Sequence, residues 1–411
     1  AECRHDPAPN VLVRFHAEDV RRRGSKFLRP QDRRAWTVNG LFDFLDKDGP
    51  FMTKDGKIGI GIIGFGGIAQ GAHFNGYRRL PDECEIVAIA DIAPERREQA
   101  GQDRFGIPTI LDDYHKLLAM PEIDAVSVCT PNGVHMQATI DALRAGKHVL
   151  CEKPMAMNAT EAKAMIAAAK ETGNKLQIGY NMRYSPGAQS LKRAIQAGLM
   201  GDVYHATARA IRRRGVPTWG VFINKEKNGG GPLIDIGVHI TDMTLWLMGH
   251  PKPVAVTGRA DAHIARRGGV LGMWGQWEPK DYTVEDFAVA MVRFEDGRTL
   301  HLTSSFVANI DQEHFDTQLF GTGAGAFLDA NAGQYTLYRE EFGTLTDTKA
   351  GWLPNLASTH GEEIRMFLKA IREDLPIAEV GAATGEQALM VTQIIDGIFA
   401  STEAGKEVAI D

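Results

Sequence analysis

The chain has 411 residues, of which 44% are hydrophobic and 24% are charged, and its formal net charge is -6. A chain of this length predicts two domains, and the weakly acidic balance argues against a nucleic-acid partner. No apolar run approaches the roughly 20 residues that a membrane-spanning helix requires, so a membrane is not an expected partner either. The four cysteines show no metal-ligand spacing, and three of them lie in apolar, strand-like runs. We therefore predict reduced, buried thiols, no metal site and a cytoplasmic protein.

Residues 1–56 differ from the rest of the sequence. Their arginine-dense part, 20–36, is not followed by the apolar core of about 7–15 residues that an export signal needs. The hydrophobic residues of this segment are too few to fold alone. We predict a poorly structured extension, with the natural start at Met52, and a regulatory or oligomer-forming arm is the alternative.

The first strong strand pattern begins at Lys57 and runs into the turn GFGGIA at positions 64–69, which matches G-x-G-x-x-G/A. Gly64 permits the tight turn, Gly66 lets a pyrophosphate approach the backbone, and Ala69 lets the following helix pack closely on the strand. The start of that helix offers free N–H groups, so the turn predicts a dinucleotide site. The predicted contacts in the turn are Gly64, Phe65, Gly66, Gly67 and Ile68.

The identity of the dinucleotide is indicated by Asp91, which ends the next strand pattern 22 positions after Ala69. An acidic side chain at this place accepts hydrogen bonds from the adenosine ribose and repels a 2′-phosphate. The next two residues, Ile92 and Ala93, offer no serine–arginine pair for such a phosphate. We predict NAD as the cofactor and NADP as the less favoured one, with Arg96 in the next helical turn as a further contact.

Alternating strand and helix patterns predict an α/β Rossmann domain with a doubly wound parallel sheet over residues 57–181. Two of its turns, CTPN and CEKP, follow the C-terminal ends of strands, where ligands bind in open α/β sheets. Lys153 belongs to the second turn. We therefore expect Lys153 to face a ligand site and not a random surface loop.

From residue 182 to residue 411 the strand patterns become long and lose their matching helices. The stretch 285–307, with an EDG turn at 295–297, alternates apolar and polar residues as antiparallel strands do. We predict a C-terminal α+β domain with a large, mostly antiparallel open sheet. The last two helix patterns are expected to pack back on the Rossmann domain.

One stretch of the second domain carries reactive side chains, NGGGPLIDIGVHITDMTLWLMG at 228–249. The glycines at 229–231 predict a flexible approach, and a helix is expected to start near Leu233. Asp235 and His239 are four positions apart, so on a helix they project from one face. These residues alone leave two interpretations open, a buried histidine satisfied by Asp235 or a catalytic histidine.

A set of motifs resembles the Gfo/Idh/MocA family, which is named after glucose–fructose oxidoreductase and inositol dehydrogenase. The motifs are the GFGGIA turn, Asp91, CTPNGVH, GKHVLCEKPMA and GGGPLIDIGVHITDMTLWLMG. The resemblance runs from about residue 57 to the end of the chain. It implies an NAD(P)-dependent oxidoreductase with a Rossmann domain and a C-terminal sheet that builds homodimers or homotetramers. It also implies sugars, cyclitols and their derivatives as substrates.

The resemblance and the chemistry of alcohol oxidation together assign catalytic roles. When a secondary alcohol loses a hydride, another group must take the hydroxyl proton, and histidine suits this task near neutral pH. We predict His239 as this base, with Asp235 orienting the imidazole or binding a neighbouring hydroxyl. Lys153 donates a hydrogen bond to the same oxygen, or itself takes the proton.

Further residues complete the predicted site. For the cofactor they are Thr130, Pro131, Asn132, His135, Glu152, Lys153 and Arg183. For the substrate they are Lys153, Tyr184, Trp219, Asp235 and His239, with Trp219 offering an apolar face to a sugar ring. The leading function is an NAD(P)-dependent dehydrogenase that transfers a hydride between a secondary alcohol of a sugar or cyclitol and nicotinamide. The alternatives are an NAD-dependent glycoside hydrolase of the same family and a non-catalytic NAD-binding regulatory protein.

Overall fold

The computed structural model describes residues 56–410, which form two β-sheets with helices packed on them. The predicted extension falls almost wholly on residues 1–55, so it lies outside the described residues, as do Cys3 and Met52. Within the described range no helix is long and apolar enough to cross a membrane. Cys84, Cys129 and Cys151 are buried free thiols, as the sequence predicts.

The strands of the described range are numbered in chain order. They are β1 (Ile58–Ile63), β2 (Cys84–Ala90), β3 (Thr109–Leu111), β4 (Ala125–Val128), β5 (His148–Glu152), β6 (Leu176–Gly179), β7 (Val203–Ile211), β8 (Pro253–Asp261), β9 (Phe287–Phe294), β10 (Thr299–Ser305), β11 (His314–Gly321), β12 (Gly325–Asp329), β13 (Gln334–Glu341), β14 (Thr344–Lys349), β15 (Ala383–Thr384) and β16 (Val408–Ala409).

The helices of the same range fall into three kinds. The α-helices are α1 (Asn75–Arg78), α2 (Pro94–Ala100), α3 (Tyr114–Leu118), α4 (His135–Arg144), α5 (Ala159–Thr172), α6 (Pro186–Gln196), α7 (Lys225–Asn228), α8 (Val238–Met248), α9 (Thr359–Arg372) and α10 (Gly385–Ala404). Two π-helical segments, Ala69–Phe74 and Leu233–Gly237, lead directly into α1 and α8. Short 3₁₀ turns span Asn132–Val134, Asn181–Tyr184 and Pro279–Asp281.

The first sheet has the strand order β3-β2-β1-β4-β5-β6-β15. Its first six strands are parallel, and their order is that of a doubly wound dinucleotide fold with its switch point between β1 and β4. All six residues of β1, IGIGII, are buried, as expected for a parallel strand covered on both faces. The predicted Rossmann sheet is confirmed.

The second sheet has the order β14-β13-β12-β11-β7-β10-β9-β8-β16. Neighbouring strands are antiparallel except β7 and β10, which run parallel. The EDG turn joins β9 to β10 and sets Val292 opposite Leu300. The prediction of a large, mostly antiparallel sheet is therefore confirmed.

The end of the chain returns to the first sheet. Helix α10 packs against α5, and the Asp396 carboxylate accepts a hydrogen bond from the Ala159 N–H at 2.7 Å. Strand β15 pairs antiparallel with β6, with Ala383 opposite Ile178. The sequence analysis does not predict β15, because two residues carry no periodic pattern. The domain boundary between residues 181 and 182 stays a prediction.

Candidate active site

The glycine-rich turn after β1 has the geometry that a dinucleotide requires. Gly64 has φ +85°, and a Cβ there would lie 2.8 Å from the Cys129 carbonyl oxygen, so only glycine fits. Gly66 and Gly67 face open space, since a Cβ on either would meet no atom within 4 Å. The turn packs tightly on one side and offers bare backbone to a phosphate on the other. These residues therefore fit the predicted NAD.

Asp91 holds the turn in place. Its Oδ2 accepts a hydrogen bond from the Phe65 N–H at 2.7 Å, and its Oδ1 accepts one from the Ala93 N–H at 2.8 Å. Each carboxylate oxygen keeps a further lone pair for a ribose hydroxyl. Arg96 lies in the next helix, where its guanidinium donates to Gln99 at 3.0 Å. The predicted cofactor contacts of Asp91 and Arg96 stay predictions.

Phe65 contributes to the turn differently from the prediction. Its side chain is fully buried and packs edge-on against Phe74 and Phe105, with ring centroids 6.2 and 5.2 Å away. Its N–H is already donated to Asp91. Phe65 is therefore a core residue that anchors the turn, whereas the neighbouring Ile68 is 39% exposed and stays a candidate contact.

His135 ties the CTPN and CEKP turns together. Its ring nitrogens lie 2.8 Å from the carbonyl oxygen of Pro154 and 2.9 Å from that of Thr130. Burial lowers the pKa of His135, and a neutral imidazole donates to one of these carbonyls at a time. With only 1% of its surface exposed, His135 positions the two turns, and its predicted contact with the cofactor stays a prediction.

The other residues of the CTPN turn remain open to a ligand. The Thr130 hydroxyl is buried and has no hydrogen-bond partner among the described residues, as expected for a group that a bound molecule would satisfy. Pro131 is exposed. Asn132 donates through Nδ2 to the main-chain carbonyl of Asn228 at 2.9 Å, so this turn contacts the stretch that leads to α8.

A chain of buried hydrogen bonds runs behind the CEKP turn. His73 places Nε2 2.8 Å from Glu152 and Nδ1 2.9 Å from the Ser127 hydroxyl, which contacts the Tyr77 hydroxyl at 2.8 Å. Burial raises the pKa of Glu152, but the hydrogen bond and charge of His73 outweigh it and lower that pKa to about 2. The Glu152 carboxylate accepts the Lys153 N–H at 3.1 Å and is 5% exposed. Glu152 therefore positions the turn, and its predicted contact with the cofactor stays a prediction.

Lys153 joins the CEKP turn to the segment before α8. Its ammonium donates to the main-chain oxygen of Asp235 at 2.9 Å and to the Asp235 carboxylate at 3.1 Å. Arg212, which follows β7, approaches the other carboxylate oxygen at 3.6 Å. Lys153 keeps 17% of its side chain exposed, and an ammonium has three donors, so one N–H remains for a ligand. The structure thus brings Lys153 and Asp235 together, 82 positions apart in sequence.

His239 lies in the first turn of α8, close enough to Lys153 for the ammonium charge to act on the imidazole. Burial lowers the pKa of His239 well below its ordinary value, and the Lys153 ammonium lowers it further. The Nδ1 atom is buried without a hydrogen-bond partner among the described residues. The expected orienting contact from Asp235 is not formed there, because the Asp235 carboxylate pairs with Lys153 and Arg212 instead. His239 is a neutral imidazole whose ring can accept a proton.

Glu285 fixes the start of the segment that carries these residues. Its carboxylate accepts the Gly231 N–H at 2.9 Å and the Leu233 N–H at 3.1 Å. A Cβ at Gly231 would lie 2.3 Å from the Glu285 carbonyl oxygen. Gly231 therefore allows close packing, and the predicted flexibility of the glycine approach stays a prediction. The π-helical turn that follows is a feature found often at functional sites.

Two predicted residues prove to belong to the interior. The Arg183 guanidinium is 1% exposed and donates to Asp242 and to Gln387, both at 2.7 Å. Tyr184 is 5% exposed and packs in the core that contains Phe367. The segment after β6 therefore turns inward, and the predicted ligand contacts of Arg183 and Tyr184 stay predictions.

One residue near this site, His360, is not predicted from the sequence. His360 comes from the start of α9, its Nδ1 lies 3.4 Å from the Asn181 amide nitrogen, and burial lowers its pKa. The charges of Glu152 and Lys153 also act on His360, so it lies near them. A lone histidine far along the chain gives no signal that could have placed it here.

Comparison with known proteins assigns the chain to a class. A model of an oxidoreductase family with an NAD-binding Rossmann fold matches residues 58–180, and a GFO/IDH/MocA C-terminal domain matches residues 188–326. D-glucoside 3-dehydrogenase of Escherichia coli is 34% identical over 359 residues, which cover 85% of this chain and 97% of that protein. Myo-inositol 2-dehydrogenase of Thermotoga maritima is 27% identical and covers 81% of this chain and 93% of its own length.

A solved structure agrees with the fold. Levoglucosan dehydrogenase in complex with NADH and L-sorbose superposes with a TM-score of 0.75 at 23% identity, over 86% of this chain and 99% of that one. The chain belongs to the Gfo/Idh/MocA family of oxidoreductases and carries its NAD-binding Rossmann fold. The predicted family, fold class and enzyme class, an NAD(P)-dependent dehydrogenase, are confirmed.

Proposed function

We propose that the protein is an NAD-dependent dehydrogenase that oxidises a secondary hydroxyl of a sugar, a cyclitol or a derivative of either. The observation that carries the proposal is the grouping of Lys153, Asp235 and His239 at the carboxyl end of β5. There a half-buried ammonium with a spare donor lies near a neutral imidazole. Such a grouping can bind a hydroxyl oxygen and remove its proton.

The structure supports distinct roles for the two candidate proton carriers. The Lys153 ammonium has two acceptors on Asp235, so its protonated form is well satisfied. Nδ1 of His239 has no hydrogen-bond partner within the part of the chain that the structure describes, and burial keeps the imidazole neutral. We therefore assign proton acceptance to His239 and hydrogen-bond donation to Lys153. In the reverse direction the Lys153 charge stabilises the developing alkoxide.

The glycine-rich turn, Asp91 and Thr130 would hold the dinucleotide, which supplies the acceptor for the hydride. The Asp91 carboxylate favours a ribose with a free 2′-hydroxyl, so we propose NAD as the preferred form. Asp235 keeps Lys153 in place while the hydroxyl proton passes to the imidazole of His239. The substrate class follows the named relatives, and a D-glucoside is the first compound to test.

We also propose that the second sheet forms the contact between copies in a homodimer or homotetramer. Residues of β9 alternate between buried and partly exposed, so one face of the sheet packs inward and the other is available to a partner. Sedimentation velocity of the full chain tests this. A monomer at micromolar concentration would contradict it.

The test of the function is NADH formation from a panel of D-glucosides, aldoses and inositols. We expect turnover with at least one compound, and a loss of about a thousandfold or more in kcat for Lys153→Met and for His239→Ala. Lys116→Met and His115→Ala remove exposed residues of the same types and are expected to keep wild-type rates.

The outcomes separate the rival functions. Near wild-type turnover in Lys153→Met or in His239→Ala would contradict the catalytic role assigned to that residue. Cleavage of a glucoside without released NADH would indicate the hydrolase. Binding of NAD with no reaction on any compound would indicate the regulatory protein.

A further inference from the structure

Two surface loops carry a pair of exposed tryptophans close to the catalytic grouping. Trp219 is 55% exposed and Trp274 is 40% exposed. Their ring centroids lie 5.6 Å apart, with 44° between the ring planes. Large aromatic rings that stay exposed together mark a recognition surface, because each leaves much apolar area in water. We call Trp219 and Trp274 the tryptophan platform.

The backbone holds the platform in shape. The Thr218 hydroxyl donates to the Trp274 carbonyl at 2.7 Å, and the Met273 N–H donates to the Arg214 carbonyl at 3.0 Å. Gly275 has φ +124°, and a Cβ there would lie 2.6 Å from the Thr218 hydroxyl, so glycine lets the two loops approach. A ligand therefore meets rings that are already positioned, which reduces the entropy cost of binding.

Arg212 connects the platform to the catalytic grouping. Its guanidinium carbon lies 4.6 Å from the centre of the Trp274 ring, and its Nη1 lies 3.6 Å from the Asp235 carboxylate. Asp235 in turn contacts the Lys153 ammonium at 3.1 Å. With ordinary bond lengths, these contacts place the Trp274 ring no more than about 15 Å from that ammonium. A molecule that reacts at Lys153 can reach the platform with a second ring.

We infer that the tryptophan platform binds the aglycone ring of a glycoside, which is the ring joined through a glycosidic oxygen to the sugar being oxidised. This inference rests on the proposed function and narrows its substrate class to two-ring glycosides. The C–H face of a pyranose, or the face of an aromatic ring, packs on indole and removes apolar surface from water. Arg212 adds guanidinium donors for the hydroxyls between the two rings.

The link through Arg212 favours a glycoside over a second copy of the chain. A contact between copies has no need of an arginine that also approaches the catalytic carboxylate. A two-ring substrate needs such an arginine, because the linkage between its rings must extend from Lys153 to Trp274. The E. coli relative is named for D-glucosides, which carry an aglycone by definition.

The test compares kcat/KM for two-ring and one-ring substrates, with NADH formation as the readout. Phenyl β-D-glucoside and a glucosyl disaccharide are the two-ring substrates, and methyl β-D-glucoside is the one-ring substrate. We expect the wild type to prefer the two-ring substrates about tenfold or more, and Trp274→Ala and Trp219→Ala to lower that ratio about tenfold. Phe342→Ala removes a fully exposed ring between β13 and β14 and is expected to keep the ratio.

Each result decides the inference. Loss confined to the phenyl glucoside supports an aromatic aglycone, and loss confined to the disaccharide supports a second sugar. An unchanged ratio in both tryptophan variants overturns the inference. A smaller sedimenting species with equal losses on all substrates also overturns it, because the platform is then a contact between copies.

A binding measurement separates this inference from the proposed function. Phenyl β-D-glucoside is titrated into the full chain without NAD, and tryptophan fluorescence is recorded. Quenching that Trp274→Ala abolishes, in a protein that forms no NADH from any sugar, supports the platform and contradicts the dehydrogenase. Turnover in the wild type with no such quenching contradicts the platform alone.

Discussion

Two charge pairs in this protein look alike in sequence and differ in exposure. Lys153–Asp235 and Arg183–Asp242 each join a residue near the carboxyl end of a Rossmann strand to the stretch at 228–249. The side chains of the first pair are 17% and 11% exposed, and those of the second pair are 1% and 2% exposed. Small differences in exposure therefore separate a pair that a ligand can reach from one that it cannot.

The donors show the same contrast. Arg183 gives Nε and Nη2 to Asp242 and Nη1 to Gln387, so its guanidinium is fully used by the protein. Lys153 keeps a donor and lies near the unpaired imidazole of His239. A charged group with spare hydrogen-bonding capacity at a ligand edge is a candidate for catalysis. A charged group whose donors are all used within the protein stabilises the fold or specifies its packing.

The largest expected difference between the two pairs appears when the cation of each pair is removed. Arg183→Met leaves Asp242 buried and unpaired, so we expect a loss of about 3–5 kcal/mol in the free energy of unfolding. Lys153→Met leaves Asp235 partly exposed beside Arg212, so we expect a loss of about 1 kcal/mol or less. Urea unfolding measures both.

Two further variants control that result. Lys116→Met removes an exposed lysine and is expected to change the free energy of unfolding by no more than about 0.5 kcal/mol. Arg183→Met combined with Asp242→Leu removes both charges and is expected to recover part of the loss. Equal losses for Arg183→Met and Lys153→Met would contradict the distinction between the pairs.

The pH dependence of kcat/KM tests the role of His239, which lies near the partly exposed Lys153–Asp235 pair. The pKa of His239 lies well below 6.5, so the base is neutral at pH 7 and remains so as pH falls through 6.5. We expect the acid limb of kcat/KM against pH to lie below pH 6.5, with a plateau through neutrality. A limb centred in the neutral range would show that another group accepts the proton. Lys153→Arg keeps the neighbouring charge and is expected to keep the limb in place.

The smallest expected effect concerns His250, which lies beside the buried Arg183–Asp242 pair. His250 lies 3.3 Å from the Arg183 guanidinium, and burial with that charge lowers the pKa of His250 to about 3. In the unfolded chain His250 therefore binds a proton below pH 6.5, whereas in the folded chain it binds one only near pH 3. The free energy of unfolding therefore decreases as pH falls through this range.

His250→Asn removes that proton uptake. Because His250 has φ +57°, asparagine is the replacement that tolerates its backbone. We expect the variant to lose less stability than the wild type between pH 7 and pH 4.5, by on the order of 1 kcal/mol. Thermal unfolding at both pH values measures this. An identical acid loss in both proteins would show that His250 does not contribute.

Much of the fold could be predicted because its signals are local. The alternation of residues along β9 and β10, the EDG turn between them and the Asn158 cap of α5 are set by neighbours in sequence, and all three are found. Gly64 signals its turn because only glycine adopts that conformation there. The two-residue strand β15 could not be predicted, since it exists only by pairing with β6.

The site was predictable in part for the same reason. Lys153 could be assigned to a ligand edge because a turn after a parallel strand faces that edge. The burial of Arg183 and Tyr184 could not be predicted, because a sequence does not say whether a turn folds inward or outward. His73 and His360 were missed because each reaches the site from a distant part of the chain.

The sequence by itself determined the order of strands and helices, the glycine turn and the residue types of the catalytic grouping, because these depend on local spacing and side-chain chemistry. Only the tertiary structure decided which charges are paired. The Asp235 carboxylate pairs with Lys153 and Arg212, and among residues 56–410 Nδ1 of His239 has no hydrogen-bond partner. The reason is physical, since this pairing joins residues 82 positions apart, and local spacing does not fix such a contact.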